Sequence, residues 1–289
     1  MDSFPPPPLS FPKRARFRFS RPYLLGILNL TPDSFSDGGL WLDPARAQAR
    51  AEQMVSAGAD ALDLGAESTR PGSRGVPAKI QKLRLLPVLR RLRKLQALRR
   101  IPLSIDTQSA EVARACLGEG ADLINDISAL RQDRRMARVI ARAGCPVLLM
   151  HRQGTARTMQ KEPRYTDVVG ELDLFFRKRI QAAYDAGIPP TQVLLDPGIG
   201  FGKTVAHNLE ILRRLGEFQA LGRPLVVGVS RKRFLGVLTG EEVPERRVAA
   251  SVAAGVLAVA HGAAILRVHD VAEHVHALKV ASAVLAPPG

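Results

Sequence analysis

"GILNLTPDSFSDGG", residues 26–39, changes character in the middle. Gly26 to Leu30 is apolar apart from one amide, Asn29. Thr31 to Gly39 is a turn-forming tract with Phe35 at its centre. The short apolar half reads as a strand buried on both faces, and the polar half as a loop. The same unit recurs down the chain. Apolar runs occur at 23–28, 61–64, 102–105, 123–124, 147–150, 193–195, 225–229 and 264–268. Helix-like segments near 44–57, 78–97, 109–119, 134–143, 168–186, 205–215, 245–260 and 271–284 alternate with them. Gly58, Gly120, Gly144, Gly187 and Gly222 punctuate the joins.

Strand and helix alternating through 289 residues predict an α/β protein built as a single (β/α)8 barrel. A doubly wound open sheet is the alternative. Nearly every run also ends in something polar: Asn29, the tract from Glu67 to Arg70, Asp106, Asn125 with Asp126, His151, Asp196, Ser230-Arg231-Lys232, and Arg267 with His269. A polar strand end often serves only to cap the next helix. Capping alone is a poor account of so many amides and carboxylates. In a barrel these ends converge on one rim, where active sites sit.

The composition is 46% hydrophobic and 24% charged, an ordinary globular balance. The first 21 residues, rich in proline and basic residues and without an apolar signal core, predict a disordered tail. The barrel is expected over residues 22–285, with a short tail at 286–289. The longest apolar window, 249–268, is rich in alanine and broken by Ser251, His261 and Gly262, so it reads as a buried helix running into a strand. Cys116 and Cys145 form no CxxC pair, so neither a disulfide framework nor a zinc site is expected. A cytoplasmic protein without membrane contact follows. The net charge is +15. The tract 81–100 carries many cations and no acid, but no aromatic residue interleaves it. A solvated basic helix face explains it better than nucleic-acid binding, and the positive field would attract an anionic small substrate.

Asp106, Asn125 and Asp196, on three strand ends, suit a flat heterocycle with an amino group beside a ring N–H, since carboxylates accept paired donors. Lys232 can donate to the same ring. Arg267 and His269 alternate along the last strand and so face one way, where barrels often hold a phosphate; Arg70 and Asn29 can assist. "DPGIGFGKT", residues 196–204, imitates a phosphate-binding loop, but Pro197 stands where GxxxxGK[ST] needs glycine. Its glycines are expected to bring backbone close to a ligand, with Phe201 as a wall. No Ser–His–Asp order, HExxH or paired thiol stands out, so no covalent nucleophile is expected.

"GILNLTPDSFSDGG", "DLGAESTRPG", "SIDT", "INDI", "LMHRQG", "LLDPGIGFGK", "GVSRKRFLG" and "LRVHDV", in this order over residues 22–285, resemble the dihydropteroate synthase family. The resemblance implies a (β/α)8 barrel that condenses 6-hydroxymethyl-7,8-dihydropterin pyrophosphate with p-aminobenzoate, usually as a homodimer. It implies that Asp106, Asn125, Asp196 and Lys232 hold the pterin. Asn29 would bind Mg2+, and with Thr69, Arg70, Arg267 and His269 would hold the pyrophosphate. Phe35, Thr69, Arg70, Pro71, Phe201, Lys232 and Arg233 would form the aminobenzoate pocket. Asn29, Lys232, Arg267 and His269 would thus carry the chemistry. Arg233 departs from the serine found in some family members; its backbone N–H or its guanidinium would then meet the aminobenzoate carboxylate. No insertion of the kind linked to sulfonamide resistance is visible in the second loop, so sulfonamides are expected to compete with aminobenzoate. A methyltetrahydrofolate–corrinoid methyltransferase is the nearest alternative, but it needs neither the "ESTRPG" nor the "SRKR" tract. A non-catalytic pterin-binding paralogue is the other, and the intact Asn29, Thr69, Arg70, Lys232, Arg267 and His269 argue against it.

Overall fold

The computed structural model describes residues 6–11, 14, 16–31, 43–67, 75–154 and 158–285. The elements run β1 (Tyr23–Asn29), α1 (Pro44–Ser56), β2 (Ala61–Gly65), α2 (Ala78–Lys94), β3 (Leu103–Asp106), α3 (Ala110–Gly118), β4 (Leu123–Asp126) and α4 (Met136–Ala143). They continue with β5 (Val147–Met150), α5 (Val168–Asp185), β6 (Val193–Asp196), α6 (Val205–Arg213), β7 (Val226–Val227), α7 (Arg233–Thr239), α8 (Val248–Ala260), β8 (Ile265–Val268) and α9 (Val271–Leu285). The strands are all parallel, in the order β6-β5-β4-β3-β2-β1-β8-β7. A parallel bridge between Leu195 and Leu225 brings β6 against β7, with Leu195 N–H donating to the Pro224 carbonyl at 3.1 Å. The ring is thereby closed, and the expected (β/α)8 barrel is what forms.

Local chemistry starts the helices where the sequence places them. Asp43 caps α1 through the Ala45 N–H at 2.8 Å, Ser109 caps α3, and Asp167 caps α5. Thr204 and His207 close a reciprocal cap on α6. β2 to β7 are buried along their whole length, as parallel strands covered by helices must be. No helix among the described residues is long and apolar enough to cross a membrane.

Two expectations need correction. Helix α7 was not among the segments read from the sequence. It is one short run, "RFLGVLT", with Gly236 inside it, and Gly240 at φ +75° ends it in the left-handed region. More consequential is the stretch expected to be a disordered tail as far as residue 21. Over its described residues, Leu9 and Phe17 exchange backbone hydrogen bonds of 2.9 Å as an antiparallel pair. Leu9, Phe11, Phe17 and Phe19 are buried against Leu25, Ala61, Leu123, Leu148, Leu194, Val226 and Ile265. These last residues lie at or near the amino ends of their strands, so the hairpin plugs the bottom of the barrel. Phe17 stacks on Tyr23 with centroids 4.1 Å apart. Arg14 reaches Asp122 at 3.3 Å, a carboxylate shared with Arg93. The described amino-terminal residues therefore contribute to the core at the lower end of the barrel.

Replacing Phe17 with Ala should cost about 3–5 kcal/mol, the usual loss for an aromatic deleted from a core. A fall in the urea midpoint of that size at unchanged m value is expected; an unchanged midpoint would show that the plug contributes nothing.

Candidate active site

The strand register sets Asn29 beside Gly65, Gly65 beside Asp106, and Asp106 beside Asn125, at one level around the carboxyl end. β6 brings Asp196 in opposite Met150. A Cβ built on Gly65 would lie 3.6 Å from Asp106 Cβ and 3.7 Å from Asn29 Oδ1, so these two side chains are near neighbours across β2.

Asp63, two residues below the end of β2, is fully buried, and it was missed in the sequence. Its Oδ2 accepts from Arg267 Nε at 2.6 Å and from Asn125 Nδ2 at 3.0 Å. Arg267 also donates from Nη2 to Asp106 Oδ2 at 3.1 Å. One guanidinium thus crosses the mouth and ties β8 to β2 and β3. Asp63 Oδ1 and Asn125 Oδ1 are both buried and without a hydrogen-bond partner. Buried acceptors of this kind are normally satisfied. Two of them together, beside Asp106 and Asp196, describe a surface lacking its N–H donors.

Burial raises the pKa of both neighbouring carboxyls. For Asp106 the Arg267 charge opposes that rise and the Asp63 charge adds to it. For Asp196 the Gly198 N–H, bonded to Oδ1 at 2.7 Å, and then Lys232, Arg267 and Lys203 oppose it. Asp126, by contrast, spends its oxygens on Ser128 N–H, Ser128 Oγ–H and Leu130 N–H, at 2.6 to 2.8 Å. It shapes the loop after β4.

The glycines after β6 serve packing more than the expected approach to a ligand. Gly198 and Gly202 have φ of +66° and +63°. A Cβ on Gly198 would fall 2.0 Å from the His151 carbonyl oxygen, and one on Gly202 would fall 2.7 Å from that of Gln153. The β6 loop is pressed backbone to backbone onto the β5 loop. Lys203, read only as part of a false phosphate motif, is buried beneath it. Its Nζ lies 3.0 Å from His151 Nδ1, 3.0 Å from the Gly198 oxygen and 3.1 Å from the Phe201 oxygen. Three acceptors match the three protons of an ammonium. Burial lowers Lys203 to about 7, and burial with the Lys203 and Arg131 charges lowers His151 to about 2. His151 therefore remains neutral and accepts.

Above this loop, Lys232 Nζ stands 4.1 Å from the centroid of Phe201, a cation–π contact joining two of the expected pocket residues. His269 Nδ1 lies 3.0 Å from Ser230 Oγ, and Arg50 Nη2 holds the His269 carbonyl at 3.0 Å. Arg233 begins α7 and is exposed. Phe35, Thr69, Arg70 and Pro71 lie outside the described residues. Beside the stretch that holds Thr69, Arg70 and Pro71, Glu67 accepts Val76 N–H and Gln81 Nε2, both at 3.1 Å. Asn29, Asp106, Asn125, Asp196, Phe201, Lys232, Arg267 and His269 thus come to one end of the barrel. Asp63 and Lys203 were the omissions. An acid inside "ALDLG", where every neighbour is apolar, was the available signal for the first; nothing in the second's surroundings distinguished it.

A family model described as "Pterin binding enzyme" matches residues 25–269. Dihydropteroate synthase of Synechocystis is 44% identical over 278 residues, which span 96% of this chain and 95% of that protein. The fold superposes on Xanthomonas albilineans dihydropteroate synthase solved with 4-aminobenzoic acid (TM-score 0.90, 46% identity, 98% of this chain and 100% of the other). It also superposes on that enzyme in complex with 7,8-dihydropteroate (TM-score 0.87, 44% identity, the same coverage). These matches define a pterin-binding barrel enzyme. Within that class, the chain belongs to the dihydropteroate synthase family.

Because burial raises the Asp196 pKa from its ordinary value, its contribution to stability is full at low pH and is lost as pH rises through the folded-state pKa. The Asp196→Asn protein should therefore gain stability relative to the parent as pH rises from 4 to 8. Urea unfolding across that range checks the sign; a constant difference would mean that Asp196 titrates alike in both states.

Proposed function

We propose that this protein condenses 6-hydroxymethyl-7,8-dihydropterin pyrophosphate with p-aminobenzoate, releasing pyrophosphate and forming 7,8-dihydropteroate. The observation that carries the reading is the set of buried acceptors on four strands, Asp63, Asp106, Asn125 and Asp196, with two oxygens unpartnered. A pterin supplies a flat edge of amino and ring N–H donors that suits them. Asp106, Asn125, Asp196 and Lys232 would hold that ring, and Asp63 joins them from below.

The diphosphate then extends toward Asn29, Thr69, Arg70, Arg267 and His269. Aminobenzoate would lie along Phe201 and Lys232, enclosed by Phe35, Thr69, Arg70 and Pro71, with its carboxylate toward Arg233. The methylene C–O bond breaks, and its electron pair leaves with the diphosphate. The aniline nitrogen forms the new C–N bond at that carbon and then loses a proton to solvent. Fixed cations near the departing oxygens lower this barrier because they need no reorganisation as charge develops. Lys232, already aligned over Phe201, meets both substrates, and the ring face beneath it keeps water from the methylene.

The donor set fits Mg2+ held loosely at Asn29. That residue offers a neutral amide oxygen, and among the described residues no group of three or more His, Cys, Asp or Glu could hold a metal. An ion that keeps most of its waters and takes the rest of its ligands from substrate phosphates suits such a place. When bound, Mg2+ supplies charge neutralisation to the diphosphate oxygens. The protein would act as a homodimer through α8 and α9, where Leu257, Val280 and Val284 are exposed. The free, buried Cys116 and Cys145 are in keeping with a reducing cytoplasm.

Incubation with the pterin pyrophosphate, aminobenzoate and Mg2+ should release pyrophosphate in equal amount to dihydropteroate, and no release would overturn the proposal. Asp196→Ala should weaken pterin binding at least tenfold, since it strips acceptors from a buried donor edge at roughly 1.5–3 kcal/mol. Lys232→Ala should raise the KM of both substrates.

A sulfonamide, which keeps the aniline and replaces the carboxylate by an acidic sulfonyl amide, should inhibit competitively with aminobenzoate. Inhibition that raising aminobenzoate does not relieve would place the drug elsewhere.

A further inference from the structure

The loops after β7 and β8 meet in two successive rungs. In the first, Ser230 Oγ accepts His269 N–H at 3.2 Å and lies 3.0 Å from His269 Nδ1. In the second, Arg231 donates from Nε to Asp270 Oδ2 at 3.0 Å and from Nη2 to Oδ1 at 2.5 Å. This is the bidentate geometry that fixes direction as well as distance. In the second rung, Lys232 directly follows Arg231 and His269 directly precedes Asp270.

The backbone at Arg231 is held in an unusual state. Its φ is +58°, in the left-handed region that a residue with a Cβ seldom adopts unless its surroundings over-determine it. The restraints are visible. Arg231 N–H donates to Ser251 Oγ at 2.8 Å, and the Arg231 carbonyl accepts Arg247 Nη1 at 3.2 Å. Ser251, fully buried on α8, donates in turn to the Arg247 carbonyl at 2.6 Å. Arg247 also donates to the Glu241 and Glu242 carbonyls, at 2.9 and 2.5 Å, just beyond the end of α7. Gly236, in the middle of α7, leaves room for this: a Cβ there would fall 2.6 Å from Arg247 Nε. Lys232 is therefore clamped on both sides, by a strained residue before it and a braced helix after it. The Arg231 and Asp270 side chains pair with each other and stay out of the ring of unpartnered acceptors.

We infer that Arg231 and Asp270 are a positioning pair for the condensation, holding the Lys232 ammonium and the His269 ring at a fixed separation across two loops. The inference rests on the roles given above to Lys232 and His269. The Ser251 and Arg247 contacts hold this backbone only together with the guanidinium–carboxylate fork, so that without the fork residue 231 relaxes toward negative φ. That rotation re-aims the Cα–Cβ bond of Lys232, and Asp270 loses the tether that keeps its neighbour His269 in place. Lys232 is displaced rather than removed, so the substrates still bind, chiefly through the acceptors on β2, β3, β4 and β6, but the leaving diphosphate and the attacking amine are no longer served together. A loss in kcat larger than any change in KM is the signature.

The test is a double-mutant cycle on pyrophosphate release, with Arg231→Met, Asp270→Asn and the double variant, each paired with urea unfolding. Lys232→Ala is measured alongside. Each single variant is expected to lower kcat at least tenfold, with KM for the pterin pyrophosphate changed less than threefold. The double variant is expected to lose no more than the worse single, and Arg231→Lys to recover part of the loss. Either single variant with kcat within twofold of the parent overturns the inference. So do losses that multiply in the double, and a kcat loss that tracks only the fraction unfolded. Should one variant fail to fold, the other single decides alone by the same criteria. Full activity in Lys232→Ala would overturn the underlying site reading; a disabled Lys232→Ala beside an unaffected Arg231→Met would sink the pair and spare the site.

Discussion

Asp63, Asp106 and Asp196 are all buried in the mouth of the barrel, and Arg267 is the guanidinium that lies among them. An uncompensated buried carboxylate costs on the order of several kcal/mol, and removing the partner of a buried pair typically costs about 3–5 kcal/mol. The first two carboxylates are tolerable because Arg267 spans β2 and β3 from β8. Asp196 relies on the Gly198 N–H and on more distant cations. What this arrangement leaves undone is equally informative. Asp63 Oδ1 and Asn125 Oδ1 remain without donors, so the fold holds its charges but does not complete its hydrogen bonds. In the proposed reading a flat ligand bearing N–H groups would complete them, so that recognition would continue the folding electrostatics.

The opposite wall is made stiff by different means. Two glycines in the left-handed region let the β6 loop lie directly on the β5 loop, and Lys203 fastens it with three contacts from beneath. Phe201 is carried by this loop, and Lys232 is poised over its ring. A chain of packed parts therefore runs from the neutral His151 through Lys203 and Phe201 to the Lys232 ammonium. Preorganisation of this sort matters because a misplacement of about 1 Å costs roughly a hundredfold in rate.

Much of the fold was legible because parallel strands buried on both faces are uniformly apolar, and because each stops at a residue that cannot remain in such company. Asn29, Asp106, Asn125 and Asp196 announced themselves in that way. Arg267 was read as a phosphate ligand from its place at the last strand, and the resemblance implied the same. Its pairing with Asp63 and Asp106 was not visible, because nothing along the chain says which of two polar partners a guanidinium will face. Lys203 was hidden by its own context, since a Gly-Lys-Thr sequence looks like phosphate chemistry until the three acceptors around its ammonium are seen. Helix α7 was too short to show a period, and its capping Gly240 reads equally well as a loop.

The misread amino-terminal stretch is the more instructive error, because it concerns how the interior of the barrel is divided. Proline and arginine gave that stretch the composition of a disordered segment, yet Leu9, Phe11, Phe17 and Phe19 are spaced to fill the opening below β1. A barrel of eight strands has an interior just wide enough for side chains to fill, and its two ends need not be filled alike. Here the lower end is closed with aromatic surface and the Arg14–Asp122 contact. The upper end is left with unpaired acceptors and φ-strained loops. Apolar burial below offsets the polar incompleteness above. An enzyme that must keep hydrogen-bonding capacity unspent at its mouth has reason to recruit additional core from its own terminus.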